Sequence, residues 1–220
     1  VSQQLVVRAL AKATGVDEGV IAHRLSGTWV PRADSFTLLS ASETSDADVS
    51  RPYPFFLAYP LEEDIEALGS PAEWQAEWKW DGIRAQVIRR DARTFIWSRG
   101  EELVTERFPE IAGAADFLPD GTVLDGEIMP WKDGAPLAFA QLQRRIGRKS
   151  LGGSILTDVP VVLVAYDLLE LNGRDIRNEP LAGRRAMLSN VIASSRSAAF
   201  IPSPVVPLVS WADARSAYAG

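Results

Sequence analysis

The stretch Glu77-Trp78-Lys79-Trp80-Asp81-Gly82-Ile83-Arg84 sets a single lysine between two tryptophans and two carboxylates. In extended backbone Glu77, Lys79 and Asp81 share one side and Trp78 and Trp80 the other, so one face is apolar and the other gathers charge. An amine pinned on stiff backbone and partly removed from water loses basicity and becomes a usable nucleophile. A half-exposed lysine beside a turn is the plainer alternative. Other chemistries are excluded by composition. The sequence has no cysteine, hence no disulfide scaffold, thiol nucleophile or thiolate metal site. Its one histidine, His23, leaves a zinc site or a Ser-His pair without a second ligand or base of the usual kind.

Two further groups of residues stand out downstream: Trp97-Ser98-Arg99-Gly100, and Leu124-Asp125-Gly126-Glu127-Ile128 with Ala165-Tyr166-Asp167-Leu168-Leu169 some forty residues on. Asp125 and Glu127 fall on one face of a strand, which does not place two carboxylates on either side of a glycosidic bond. Leu151-Gly152-Gly153-Ser154 is expected to be a flexible loop, without the spacing or lysine of a phosphate-binding P-loop.

The elements that must hold these residues follow from periodicity. Strands are predicted over Trp74–Trp80 and Ile83–Arg89, with a direct hairpin at Asp81-Gly82 as one possibility, then over Thr94–Ser98, Thr122–Trp131, Val159–Leu169 and Val205–Trp211. Helices are predicted over residues 2–26 with a break at Gly15, briefly over Ser35–Ser40, near Ile65–Leu68, over Glu106–Leu118 with Phe108, Ile111 and Phe117 inward, over Phe139–Ile146, and over Leu181–Ile192 with Arg184 and Arg185 exposed. Pro52–Pro60 is proline-bounded and forms no long element. Strands and helices do not alternate regularly, so an α+β fold is favoured over a doubly wound sheet.

The 220 residues and 46% apolar content support a sizeable core, and the net charge is −6. The distribution of charge says more than its sum. Residues 41–73 are acidic, whereas Lys79, Arg84, Arg89, Arg90, Arg93 and Arg99 crowd the lysine segment and Arg144, Arg145, Arg148 and Lys149 one later helix. No run approaches the ~18–20 apolar residues of a membrane span, no signal peptide opens the chain, and a cysteine-free composition fits a cytoplasmic protein. The first residue is Val, as at a processed or excised end.

Lys79-x-Asp81-Gly82, Ser98-Arg99-Gly100, Asp125-Gly126-Glu127 and Tyr166-Asp167-Leu168, in that order, strongly resemble the ATP-dependent DNA ligases of the covalent nucleotidyltransferase superfamily, of bacterial type. The resemblance runs from about Pro52 to at least Leu188. It implies an adenylation domain of mixed and antiparallel sheets with flanking helices over 52–220, a linker over 41–51, and the end of a helical DNA-binding domain over 1–40. It implies that Lys79 attacks the α-phosphate of ATP to form lysyl-AMP, on the way to sealing 5′-phosphate/3′-hydroxyl nicks in double-stranded DNA during repair, recombination or replication. It further implies that Arg84 and Arg99 contact sugar and phosphate, that Glu127 binds ribose or Mg²⁺, that Tyr166 stacks on adenine, and that Glu77 lies near the adenine edge. Arg84 and Arg99 as strand-surface ion pairs, and Tyr166 as a core residue, are the structural alternatives. The family's Glu-Gly-x-x-x-Lys motif and C-terminal OB domain do not follow before Gly220, so the chain is expected to be a fragment with weak or absent sealing of its own. The competing assignments are an RNA ligase or capping guanylyltransferase, and a non-catalytic nucleic-acid-binding module.

Overall fold

The computed structural model describes residues 3–16, 18, 21, 25, 36–37, 49–100, 102–148 and 151–219. Its centre is an antiparallel sheet of β2 (Ile83–Arg90), β3 (Arg93–Ser98), β4 (Thr122–Lys132), β6 (Val161–Leu171) and β7 (Arg174–Asp175), in the order β3-β2-β4-β6-β7. β5 (Ala135–Pro136) pairs with β4, and β8 (Phe200–Pro202) adds to β6 in parallel. The chain reverses between β2 and β3 at Asp91-Ala92 and between β6 and β7 at Asn172-Gly173, all four with positive φ near 50–75°, the tight turn whose twist matches paired strands. The mixed helix-and-sheet class predicted above is therefore the one observed.

The two faces of the sheet have different tasks. Ala85, Leu124, Ile128, Leu163 and Leu168 point to one face, which buries against Phe108 and α2 (Pro109–Ala115), α3 (Phe139–Ile146) and α5 (Leu181–Ser195). On the other face Ile88, Trp97, Val123 and Leu169 meet Val7 and Ala11 of α1 (Gln3–Thr14) at one end. Met129, Val162 and Val164 meet Trp80 and Trp131 at the other end. Between these apolar patches the same face turns polar, because the cross-strand pairs Arg84–Glu127 and Gln86–Asp125 point that way.

Several predicted elements differ. No strand covers Trp74–Trp80: β1 is only Ala76–Glu77, and it pairs with β9 (Val205–Val206) rather than with β2. The backbone cannot follow β9 and β4 at once, so it crosses between the two sheets in irregular conformation at residues 78–82. The expected strand over Val205–Trp211 stops at Val206. Pro207 has no N–H to give a ladder, and the Asp213 carboxylate accepts the Ser210 N–H and hydroxyl at the start of α6 (Trp211–Ala219). The helix expected over Glu106–Leu118 is a 3₁₀ turn at Thr105–Arg107 followed by α2, broken at Phe108, where φ/ψ of −133°/60° is not helical. Ile111, Ala114, Ala115 and Leu118 share the buried face at helical spacing, which leaves Phe117 outward. The expected loop at 151–154 runs instead into α4 (Gly153–Asp158). His23, Lys149, the short helix over Ser35–Ser40, apart from Phe36 and Thr37, and most of the linker lie outside the described residues.

Candidate active site

A cleft of about 650 Å³ opens at the edge of the polar zone, large enough for a nucleotide-sized ligand. Its walls bring together Lys79, Arg84, Arg99, Glu127 and Tyr166, from four separate parts of the chain, with Phe56 and Leu57 as a rim. Glu77 is not on these walls.

Lys79 sits on the irregular segment between β1 and β2, exposed to the cleft rather than half-sunk on a strand. Its neighbours fix it. Trp80 packs edge-on to Trp131 and donates its indole N–H to Ser203 Oγ at 3.1 Å. The Gly82 N–H donates to Glu127 Oε1 at 3.1 Å. Position 82 must be glycine because a Cβ there would strike Ile128 O and lie 2.7 Å from Met129 Sδ. The glycine of the Lys79-x-Asp81-Gly82 signature is thus a close-approach residue, and it binds the segment carrying the lysine to the carboxylate of β4.

Burial pushes the Glu127 carboxyl up to about 7, against the opposing pull of the Gly82 N–H and the Arg84, Lys79 and Arg99 charges. Asp125, also buried and shifted up by desolvation, takes a charge-assisted bond from Arg84 Nη2 at 2.9 Å. Arg84 also donates to Phe56 O and lies over the rings of Phe55 and Tyr166 at 5.6 Å. Arg99 is exposed on the wall, with its backbone N–H donated to Arg84 O at 3.0 Å.

Tyr166 reaches the cleft through a fault in the ladder. β4 and β6 pair Asp125 with Asp167 but Gly126 with Ala165, so Tyr166 is the extra residue between the two registers. Such a bulge re-aims a side chain, here toward Asp125, with the phenol oxygen 3.4 Å from both Asp125 Oδ1 and Gly126 O. Burial and the Asp125 carboxylate raise the Tyr166 hydroxyl well above its ordinary range. Asp167, beside it, is gripped by Arg184 at 2.8 and 2.9 Å. Arg184 and Arg185 are therefore partly buried ion-pair residues and not the exposed cations expected, and Arg145 is fully buried on Glu110.

The missed residues are Asp125 as the partner of Arg84, Gln86, which clamps the backbone of Tyr53, and Arg185 with Ser203 behind the lysine segment. The same-face position of Asp125 and Glu127 was the available signal for the first. The others depend on contacts between residues far apart in sequence. Among the described residues no three acidic or histidine side chains cluster as a metal cage. Among the described residues Asp81 and Glu127 are the carboxylates lining the cleft, and Glu127, on β4, suits a magnesium ion that takes its remaining ligands from phosphates and water. No helix among the described residues is long and apolar enough to cross a membrane.

Residues 56–214 match the family described as ATP dependent DNA ligase domain. A probable DNA ligase from Opitutus terrae is 44% identical over 120 residues, 54% of this chain and 12% of the relative. One from Koribacter versatilis is 35% identical over 192 residues, 86% of this chain and 33% of the relative. The chain thus spans about a third or less of these relatives. Among solved structures, the ligase domain of LigD from M. tuberculosis superposes with a TM-score of 0.52 and 28% identity, covering 66% of this chain and 43% of that one.

Proposed function

This chain belongs to the ATP-dependent DNA ligase domain family, and from that membership we propose that it forms the adenylation core of a ligase that seals 5′-phosphate/3′-hydroxyl nicks in double-stranded DNA through lysyl-AMP. The observation that carries the proposal is the meeting of Lys79, Arg99, Glu127 and Tyr166 on the walls of one cleft. Residues 52–220 are assigned to the adenylation unit, 41–51 to a linker and 1–40 to the end of a DNA-binding domain. The absence of cysteine supports a cytoplasmic setting.

In the proposed reaction the Lys79 amine, having lost its proton, attacks the α-phosphorus of ATP. A P–N bond forms as the bond to the β-phosphate oxygen breaks, and pyrophosphate leaves with the electron pair. The adenylyl group then passes to the 5′-phosphate of the nick, and the 3′-hydroxyl displaces AMP. Phosphoryl transfer needs positive charge and positioning more than acid–base chemistry. Arg99 is free to reach phosphate from the wall. Arg84, held by Asp125, sits where it orders the face of Tyr166 while presenting charge to a ribose or phosphate. Tyr166 offers its ring to adenine. Glu127 would hold ribose or Mg²⁺, which would supply positive charge to the phosphates. Glu77, placed by the family resemblance near the adenine edge, stands off the cleft walls.

Incubation with α-labelled ATP and Mg²⁺ tests the proposal. The full-length protein, run beside this chain, is expected to become covalently labelled, the label to be lost in Lys79→Ala, and a nicked duplex to discharge it. Labelling that persists in Lys79→Ala, or a full-length wild type that never takes label, refutes it; stronger labelling from GTP points to a guanylyltransferase.

A further inference from the structure

We infer that Arg185 is a positioning residue for Lys79, holding both flanks of the lysine segment and the Tyr166 bulge from one guanidinium. The inference rests on the assignment of Lys79 as nucleophile and adds the device that aims it.

A two-residue strand is a weak mount for a reacting group. β1 contributes two register pairs with β9, and beyond Glu77 the backbone has no ladder until Ile83. What holds residues 77–80 comes from behind. Arg185 Nη1, on α5, donates to Tyr166 O at 2.9 Å and to Ala165 O at 3.3 Å, and Nη2 donates to Ser203 O. Its Nε lies 3.8 Å from Glu77 Oε1, on side chains that are 11% and 22% exposed. Ser203 is buried: its N–H donates to Ala165 O at 2.7 Å and its Oγ accepts the Trp80 indole N–H. The residue two before Lys79 is thus fixed by charge, the residue after it through Ser203, and the backbone of Tyr166 directly.

The chemistry of the side chain suits this task. A guanidinium presents five donors in a rigid plane, enough for three carbonyls and a carboxylate at once, whereas an ammonium is a point charge on a flexible stem. Burial raises Glu77 toward its neutral form and Arg185 opposes that, so Glu77 is tied to the scaffold from the far side of the lysine. Displacing a nucleophile by about 1 Å costs on the order of 10²-fold in rate.

The test separates aim from affinity. In Arg185→Lys the single-turnover rate of labelling at saturating ATP is expected to fall roughly 10–100-fold, with the Kd for ATP changed less than about threefold. Ser203→Ala, a one-atom deletion that removes the Trp80 tie and the side-chain bond to Glu77 but leaves the Ser203 carbonyl to Arg185, is expected to show the same split at smaller size. Adding Glu77→Gln to Arg185→Lys is expected to cost little more than Arg185→Lys alone, since the Glu77–Arg185 contact is common to both substitutions. The inference is overturned if Ser203→Ala and Arg185→Lys keep the wild-type saturating rate, if the loss lies in ATP binding, or if the Glu77 and Arg185 effects multiply. A labelled wild type with a fully active Arg185→Lys sinks this inference and leaves the ligase assignment standing. A wild type never labelled at Lys79 sinks both.

Discussion

Glu127 carries a carboxyl group raised by burial to about 7, well above the ordinary carboxylate range. The sign of its effect on stability is the reverse of a paired surface carboxylate. Because the folded-state value lies above the unfolded one, ionisation destabilises the fold, and the penalty appears as pH rises from the unfolded value toward 7 and is complete above it. Glu127→Gln keeps an oxygen for the Gly82 N–H but has nothing to ionise. Its melting temperature is expected to equal the wild type's near pH 4 and to exceed it at pH 8, as thermal scans across that range would show. The proposed role of Glu127 requires the charged form, so in the wild type the affinity for Mg²⁺-ATP is expected to fall as pH drops through about 7, approaching tenfold per pH unit below it. A flat affinity between pH 5.5 and 8 would remove Glu127 from the ribose or metal contact.

The pairing of β4 with β6 is the element on which the cleft depends, and its bulge rests on Gly126. A Cβ there would stand 2.7 Å from Val164 O and 3.0 Å from Ala165 Cα, backbone atoms that cannot move without shifting the strand. Gly126→Ala is expected to cost about 1–3 kcal/mol of stability in denaturant titrations, as overpacking does. It is also expected to weaken ATP binding by moving Tyr166, and a variant as stable and as tight-binding as the wild type would show that the bulge is not needed. The sequence displays these elements unevenly, for physical reasons. β2, β4 and β6 are legible because alternation and apolar runs record burial directly in residue order. Glu127, Arg84 and Arg99 are legible as a group because motif order preserves them. The bulge is not, since one extra residue leaves no trace in a strand that is apolar on both faces. Nor is the mount of Lys79: whether Glu77 pairs with β2 or with β9 is decided by Val205 and Val206, more than a hundred residues away.

At the scale of the molecule, the segment preceding the sheet is bound to it where the sheet is polar. Arg90 pairs with Glu170 and donates to Val49 O and Arg51 O, while Tyr53 gives its hydroxyl to Glu170 at 2.8 Å. Gln86, fully buried, accepts the Tyr53 N–H and donates to Tyr53 O, completing the polar satisfaction of that segment as a neighbouring strand would. Burial and Glu170 push the Tyr53 hydroxyl up to about 12, so it remains a donor at any physiological pH. The same segment continues into Phe56, Leu57 and Ala58 on the cleft rim. The network therefore links the N-terminal portion of the chain to the geometry of the cleft. Cutting one partner of a nearly buried pair strands the other charge, at a cost of about 3–5 kcal/mol. In Glu170→Gln the amide still accepts a bond, so a loss toward the lower end is expected, lowering the melting temperature by roughly 5–10 °C. Hydrogen exchange at Tyr53 and its neighbours should accelerate more than in the core of β4, because the Arg90 and Gln86 clamps open together with the segment they hold. ATP affinity should fall with it, through the rim. Uniform acceleration across the whole sheet would instead mean that Arg90 and Glu170 support the global fold and that the cleft does not depend on how this segment is seated.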